Sequence, residues 1–319
     1  MSIPRLERGA WDLNCGGIAV MMNRILPRLE LGPDDFAAKY NRVPLGFSHN
    51  LSRLDLFKEE ALRALCSKYA DHPHDYFVAR SSPDPGTVFY SVPRTDLKPH
   101  EAIDQLDAGS YKILLKRLEQ RDDGFRDLLH DLFGQVREQL RHHGYCDEVV
   151  RLESSLFISA PWSTTPFHFD PEINFFSQIE GEKIYHLYAP SSLGEDEVEP
   201  LYVRATVDIG QVDLRRRDPS EEYIFKLVAG DGVLQPQDAP HWVETTGSRS
   251  ISYTFVYETR EGRSRARVRS FNHYLRQLKI DPLGPGISPV RDAAKAAVMA
   301  AAIPVRKQIG KTLRTRLGR

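Results

Sequence analysis

Residues 164–190 read Thr164-Thr165-Pro166-Phe167-His168-Phe169-Asp170-Pro171-Glu172-Ile173-Asn174-Phe175-Phe176-Ser177-Gln178-Ile179-Glu180-Gly181-Glu182-Lys183-Ile184-Tyr185-His186-Leu187-Tyr188-Ala189-Pro190. His168 and Asp170 lie two apart, so on an extended segment both project to the same face. An imidazole and a carboxylate side by side can hold a divalent metal. A His-x-Asp triplet arises about once by chance in a chain of this composition, so the context decides its meaning. Gly181-Glu182 sits between two strand-like runs and suits a two-residue hairpin with Gly first. In that register Glu180 faces Lys183, and the face carrying Lys183 also carries Gln178, Phe176 and Asn174. An extended path back through Pro171 adds His168 and Asp170 to it. A lysine turned into a barrel interior is costly without an anionic partner, so the pattern asks for a buried carboxylate, for which a ligand is one source.

The surroundings agree with a strand-rich core. Short strands are expected at 156–159, 174–180, 183–188, 223–228, 233–235 and 250–257, and many short strands at such spacing indicate a sandwich or jelly roll. A third metal ligand should come from a later strand, and the run Gly230-Asp231-Gly232-Val233-Leu234-Gln235-Pro236-Gln237-Asp238-Ala239-Pro240-His241-Trp242 offers His241. Two histidines and one carboxylate on a triangular face, with other positions open, form the facial triad of non-haem Fe(II) oxygenases. A closed four-ligand structural zinc site lacks those open positions.

On these residues the chain resembles the Jumonji-C, cupin-8 type of Fe(II)- and 2-oxoglutarate-dependent oxygenases, in the pattern of the asparaginyl hydroxylase factor inhibiting hypoxia-inducible factor. The matching positions are Thr165, Pro166, His168, Asp170, Asn174, Gln178, Gly181, Lys183 and Pro190, then Gly230, Asp231, Leu234, Pro236 and His241, with Gly210-Gln211-Val212-Asp213 resembling the connecting segment. The resemblance covers about a third of the chain. It implies an α+β fold with a double-stranded β-helix (jelly roll) core, iron on His168, Asp170 and His241, and dioxygen as oxidant. It also implies that Lys183 and Thr165 meet the distal carboxylate of 2-oxoglutarate, with Asn174 beside it. Ser252 or Thr254 would complete that pocket, and Tyr111 would supply the tyrosine that some members contribute. The implied reaction gives succinate and carbon dioxide and hydroxylates a protein side chain or a small molecule. An intact Asp170 favours hydroxylation over halogenation. The chain departs from the pattern at Ala229, at Pro240 with Trp242 following the distal histidine, and at Glu172, which replaces a substrate-orienting Gln.

Working outward, residues 1–105 read as a mixed region packing on the core, 106–259 as the catalytic core and 260–319 as a basic, mostly helical extension. Helical spacing marks 54–70 and 125–142, strands are expected at 88–92 and 111–115, and helices at 270–278 and from Ser288-Pro289. The 319 residues have 43 Lys+Arg against 44 Asp+Glu, 41% apolar residues and 10% aromatics, which is ordinary globular composition and excludes disorder. The near-neutral charge conceals a partition: residues 260–319 hold 15 Lys+Arg and 3 Asp+Glu, leaving 28 against 41 elsewhere. Such a tail should meet nucleic acid, a membrane surface, an acidic partner, or the acidic body of the same or a neighbouring chain. A homodimer through the C-terminal helices is a further expectation, ranked ahead of nucleic acid. Arginines 263, 265, 267 and 269 read as the solvated face of an extended segment. No apolar run reaches the roughly 20 residues of a membrane span, and the N-terminus lacks a signal-like stretch, so a cytoplasmic location is expected. Cys15, Cys66 and Cys146 suggest neither a disulfide framework nor a zinc site, and Cys15 reads as a small buried residue. His186 reads as a buried strand residue opposite the Lys183 face; His72, His74, His142 and His143 read as surface residues. The competing functions are a non-catalytic cupin-fold binding protein acting through the tail, and a Jumonji-type demethylase.

Overall fold

In the computed structural model of the chain, residues 25–80, 84–106 and 111–316 are described, the last of them from 304 by backbone alone. The expectations for Cys15 and for the N-terminal segment concern residues outside these ranges. The strands are β1 (Leu29–Glu30), β2 (Leu45–His49), β3 (Tyr76–Arg80), β4 (Tyr111–Lys116), β5 (Val149–Ser159), β6 (Thr164–His168), β7 (Ile173–Glu180), β8 (Lys183–Leu187), β9 (Tyr223–Leu227), β10 (Asp231–Gln235), β11 (His241–Thr245) and β12 (Ser250–Thr259). They form an eight-stranded sheet ordered β1-β2-β10-β7-β12-β5-β4-β3 and a four-stranded sheet ordered β6-β11-β8-β9. Every pairing is antiparallel. The jelly-roll expectation and its α+β class therefore hold.

Alternation along the central strands separates two environments. On β12, Ile251, Tyr253, Phe255 and Tyr257 join a core with Ile158, Phe175 and Leu234. That core is closed by the helices α1 (Pro33–Lys39), α2 (Glu59–Lys68), α3 (Pro99–Asp104) and α4 (Asp123–His142). α4 carries Phe125, Leu128, Leu129, Leu132, Val136 and Leu140 on its buried side, the 3.6-residue spacing of an amphipathic helix. Its start is capped by Asp122, whose side chain accepts from the Gly124 and Phe125 amides. The other face of the sheet carries Ser250, Ser252 and Thr254, paired with Phe157, Ser155 and Ser159 on β5 and with Gln178 and Phe176 on β7.

Gly181 is a corner, and not the turn of a hairpin. β7 belongs to the large sheet and β8 to the small one, so the chain crosses between sheets here. Its φ of +70° is left-handed, and a Cβ would overlap the Arg249 carbonyl oxygen. Other local expectations also change. Residues 88–92 contain a short 3-10 turn, Phe89–Ser91, in place of a strand. The helix expected over 54–70 begins only at Glu59, after two 3-10 turns.

The basic extension forms α6 (Arg260–Gln277) and α7 (Pro289–Arg316), after the short α5 (Glu195–Val198). Arginines 263, 265, 267 and 269 are thus helical, because each position's backbone amide is satisfied within α6 and the helix docks onto acidic residues of the body. Arg260 pairs with Glu148, Arg263 with Glu258, and Arg276 with Glu199 and Asp281. Arg269 is buried between Glu195 and Asp238. Of the partners the charge asymmetry asked for, the body of the same chain is one that the structure displays. No helix among the described residues is long and apolar enough to cross a membrane.

Candidate metal centre and anion pocket

β6 ends at His168 and β11 begins at His241, and the register of these two strands sets the histidines directly opposite one another. Their rings lie 4.2 Å apart between centroids. Asp170 follows β6 and completes the group: its Oδ1 lies 3.6 Å from His168 Nε2 and its Oδ2 3.6 Å from His241 Nε2. One donor atom from each residue lies within 4.8 Å of the others. Alternation explains the placement, since Phe167 and Phe169, flanking His168, turn away into a small core with Tyr188 and Tyr202. Gly210 pairs its backbone with Phe169 in both directions, at 3.0 and 2.8 Å, and a Cβ there would overlap the Phe169 ring. The Gly210-Gln211 segment therefore clamps the chain between the two β6-side donors.

Each histidine is held in one tautomer. His168 Nδ1 lies 2.6 Å from the Pro166 carbonyl and His241 Nδ1 3.1 Å from that of Ala239. A carbonyl only accepts, so both Nδ1 atoms carry hydrogen and both Nε2 lone pairs face Asp170. Burial lowers the pKa of both imidazoles, that of His168 well below the usual range with help from His241, and so keeps them neutral. Burial pushes the Asp170 carboxyl up, against the opposing influence of His241; a divalent cation would restore its charge. Two neutral imidazole nitrogens and one carboxylate are the donor set for a divalent metal, so the residues present fit such an ion.

Supporting groups stand behind the donors. Tyr185 donates to Gln235 Oε1 at 2.7 Å, and the Gln235 amide is turned toward Asp170 without closing a regular hydrogen bond. Asp238, at φ +61°, donates its amide to the Asp170 carbonyl at 2.9 Å. Its carboxylate accepts from Tyr202 at 2.6 Å and from Arg269 at 2.5 Å. The loop leading into His241 is thereby tied to α6.

Lys183 projects into the interior, donates to Ser252 Oγ at 2.8 Å, and lies 5.2 Å from the Phe176 ring centroid and 5.4 Å from that of Phe157. Ser252 donates on to Gln178 at 2.7 Å, and Gln178 to Ser250 at 2.8 Å. Asn174 accepts from Thr254. Lys183, Gln178, Phe176 and Asn174 do share one interior, but they reach it from two different sheets and not across the hairpin expected at Gly181. Thr165 accepts from Lys112, a residue the sequence pattern did not single out. Tyr111 faces the helix-covered core instead and its hydroxyl accepts from Arg80 at 2.8 Å. Parity on β4 is the signal that would have found this: if Tyr111, Ile113 and Leu115 enter one side, Lys112 enters the other. Lys112 is partly accessible, but desolvation of its ammonium pushes the pKa down to about 8. Burial, then the charge of Lys112, puts Lys183 well below the usual lysine range.

Residues outside the site also resolve. His186 is buried on the outward face of the small sheet, stacked on Trp242 at 3.6 Å and 3.1 Å from Glu222. Trp242, following the distal histidine, thus points away from the metal ligands. Glu172 pairs with Arg151. Phe89, in the 3-10 turn, packs 4.7 Å from the His168 ring. Cys66 is buried, which pushes its thiol up to about 12.

A family profile described as a cupin-like domain matches residues 77–263, more than half of the chain. Among curated proteins, lysine-specific demethylase 8 of Danio rerio is 32% identical over 141 residues, 40% of this chain and 33% of that protein. The chain therefore matches about a third of that relative's length. Among solved structures, that of Escherichia coli ycfD superposes with a TM-score of 0.51 at 17% identity, covering 87% of this chain and 68% of that one. A structure of YcfD, described as a ribosomal oxygenase, in complex with cobalt and 2-oxoglutarate gives a TM-score of 0.49 at 16% identity over 87% and 68% of the two chains.

Proposed function

The chain belongs to the cupin-like domain family, and from that premise we propose that it is an Fe(II)- and 2-oxoglutarate-dependent hydroxylase of the Jumonji-C type. His168, Asp170 and His241 would hold the metal. The observation that carries this reading is the pair of tautomerically fixed Nε2 lone pairs facing one half-buried carboxylate, beside a buried lysine that has no carboxylate partner among the described residues. When bound, the metal supplies the centre at which a 2-oxo acid and dioxygen are converted to succinate and carbon dioxide while a C–H bond is oxidised.

The protein's own groups do the positioning. The Pro166 and Ala239 carbonyls hold the imidazoles; the Asp238 amide holds the Asp170 backbone carbonyl, and the Gln235 amide is turned toward its carboxylate. Lys183 would donate to the distal carboxylate of the co-substrate, with Thr165, Ser252 and Asn174 lining its path. Phe157 and Phe176 exclude water around the ammonium, which strengthens that attraction. The acceptor, a protein side chain or a small molecule, would approach past Phe89. Asp170 supports hydroxylation, since it keeps the carboxylate position filled.

Proton NMR of the aerobic protein with Fe(II), ascorbate and 2-oxoglutarate tests this reading. Succinate is expected from the wild type, slowly even without acceptor, and not from His241→Ala. Folded wild-type protein that forms no succinate with any candidate acceptor would support the non-catalytic reading instead. A demethylase would additionally release formaldehyde from an N-methylated acceptor, the outcome that the demethylase relative brings into the test.

A further inference from the structure

Lys112 and Lys183 enter the interior from opposite sheets. Lys112 rises from β4 of the large sheet and donates to Thr165 on β6 of the small one. Lys183 rises from β8 of the small sheet and donates to Ser252 on β12 of the large one. Their charges are close enough that the Lys112 ammonium disfavours that of Lys183. Among the described residues neither makes an ion pair with a carboxylate. The carboxylate of the interior, Asp170, is turned to the two histidines. Neutral hydroxyls compensate little for a desolvated charge, and like charges in a low dielectric repel, so without an anion both amines are pushed toward their neutral forms. An anion between them would hold both in the charged form.

One ammonium suffices to neutralise a carboxylate, but a carboxylate has two oxygens. Two ammonium groups arriving from opposite walls can each take one oxygen, which fixes the plane and depth of the group as a bidentate arginine would. We propose that Lys112 and Lys183 form a two-point clamp on the terminal carboxylate of a dicarboxylic 2-oxo acid, making Lys112 a specificity residue of the co-substrate pocket. This rests on the oxygenase reading. It distinguishes dicarboxylic from monocarboxylic 2-oxo acids, because an acid without the terminal group leaves both cations unpaired.

Titration calorimetry of the full chain loaded with Mn(II) separates the possibilities, with N-oxalylglycine as the probe that has a terminal carboxylate and oxamate as the one that lacks it. Lys112→Met is expected to weaken N-oxalylglycine roughly tenfold or more, to leave oxamate and Mn(II) affinities within about twofold, and Lys112→Arg to recover most of the loss. Thermal melting of Lys112→Met should match or exceed wild type, since a like charge has been removed. Unchanged N-oxalylglycine affinity in folded Lys112→Met overturns the clamp, and so does a parallel loss of oxamate. A wild type that binds Mn(II) and neither probe overturns the oxygenase reading and the clamp with it.

Discussion

On β12 the odd-numbered residues Ile251, Tyr253, Phe255 and Tyr257 enter the helix-covered core, while Ser250, Ser252 and Thr254 point between the sheets. The same division runs through β7, with Phe175 and Ile179 on one side and Asn174 and Gln178 on the other, and through β4, with Ile113 opposed to Lys112. One face is dispersion and burial, as in the stacked rings of Phe175 and Phe255 at 4.8 Å and 7°. The other carries hydroxyls, amides and Lys112, and looks toward the small sheet, whose strands supply Lys183, His168 and His241. A single set of strands thus separates stability from chemistry, and changes on the two faces should have opposite consequences.

The largest effect belongs to the polar face. His168→Ala should lower succinate formation by roughly a thousandfold or more, as loss of a ligand acting in the rate-determining assembly does, while shifting the melting temperature little. A variant that unfolds as well would blur the division. On the apolar face, Phe255→Ala should cost about 3–5 kcal/mol in urea denaturation and leave Mn(II) affinity of the remaining folded protein unchanged. Gln235→Leu removes the amide beside Asp170 and the partner of Tyr185. Metal affinity should fall about 10- to 100-fold, with stability altered far less than by Phe255→Ala.

The smallest effect sharpens the comparison through pH. Lys112 has its pKa lowered to about 8 in the folded chain, against about 10.4 when free. Between those values the unfolded chain binds more protons, so stability without ligand rises with pH from about 8 to about 10. Relative to Lys112→Met, the wild-type melting temperature should climb by roughly a few degrees across that window. Bound N-oxalylglycine should cancel or reverse the climb, because it favours the charged ammonium.

Much of the polar face was legible in the chain. His168 and Asp170 two apart follow from strand alternation, and His241 from its place at the start of a later strand. Lys183, by contrast, meets Gln178 and Asn174 from the opposite sheet, and not through the hairpin register or the extended path through Pro171 expected for them. What was not legible depends on pairing between distant segments. Gly181 looks like a hairpin residue until β7 and β8 are assigned to different sheets, and β2 and β3 join the large sheet through β10 and β4, partners distant in the chain. Tyr111 was the attractive aromatic on β4, yet the neighbouring residue enters the site, since strand parity gives the two opposite faces. Arg269 looks like surface charge until Asp238 and Glu195, 31 and 74 residues away, close around it.

The central claim, that the polar face assembles a metal and 2-oxo-acid site, is tested most directly by visible spectroscopy under anaerobic conditions. Addition of Fe(II) and 2-oxoglutarate to the wild-type chain should produce a weak charge-transfer band that saturates at one equivalent of each and is lost in His168→Ala. Folded wild-type protein that develops no band at saturating Fe(II) and 2-oxoglutarate would contradict it.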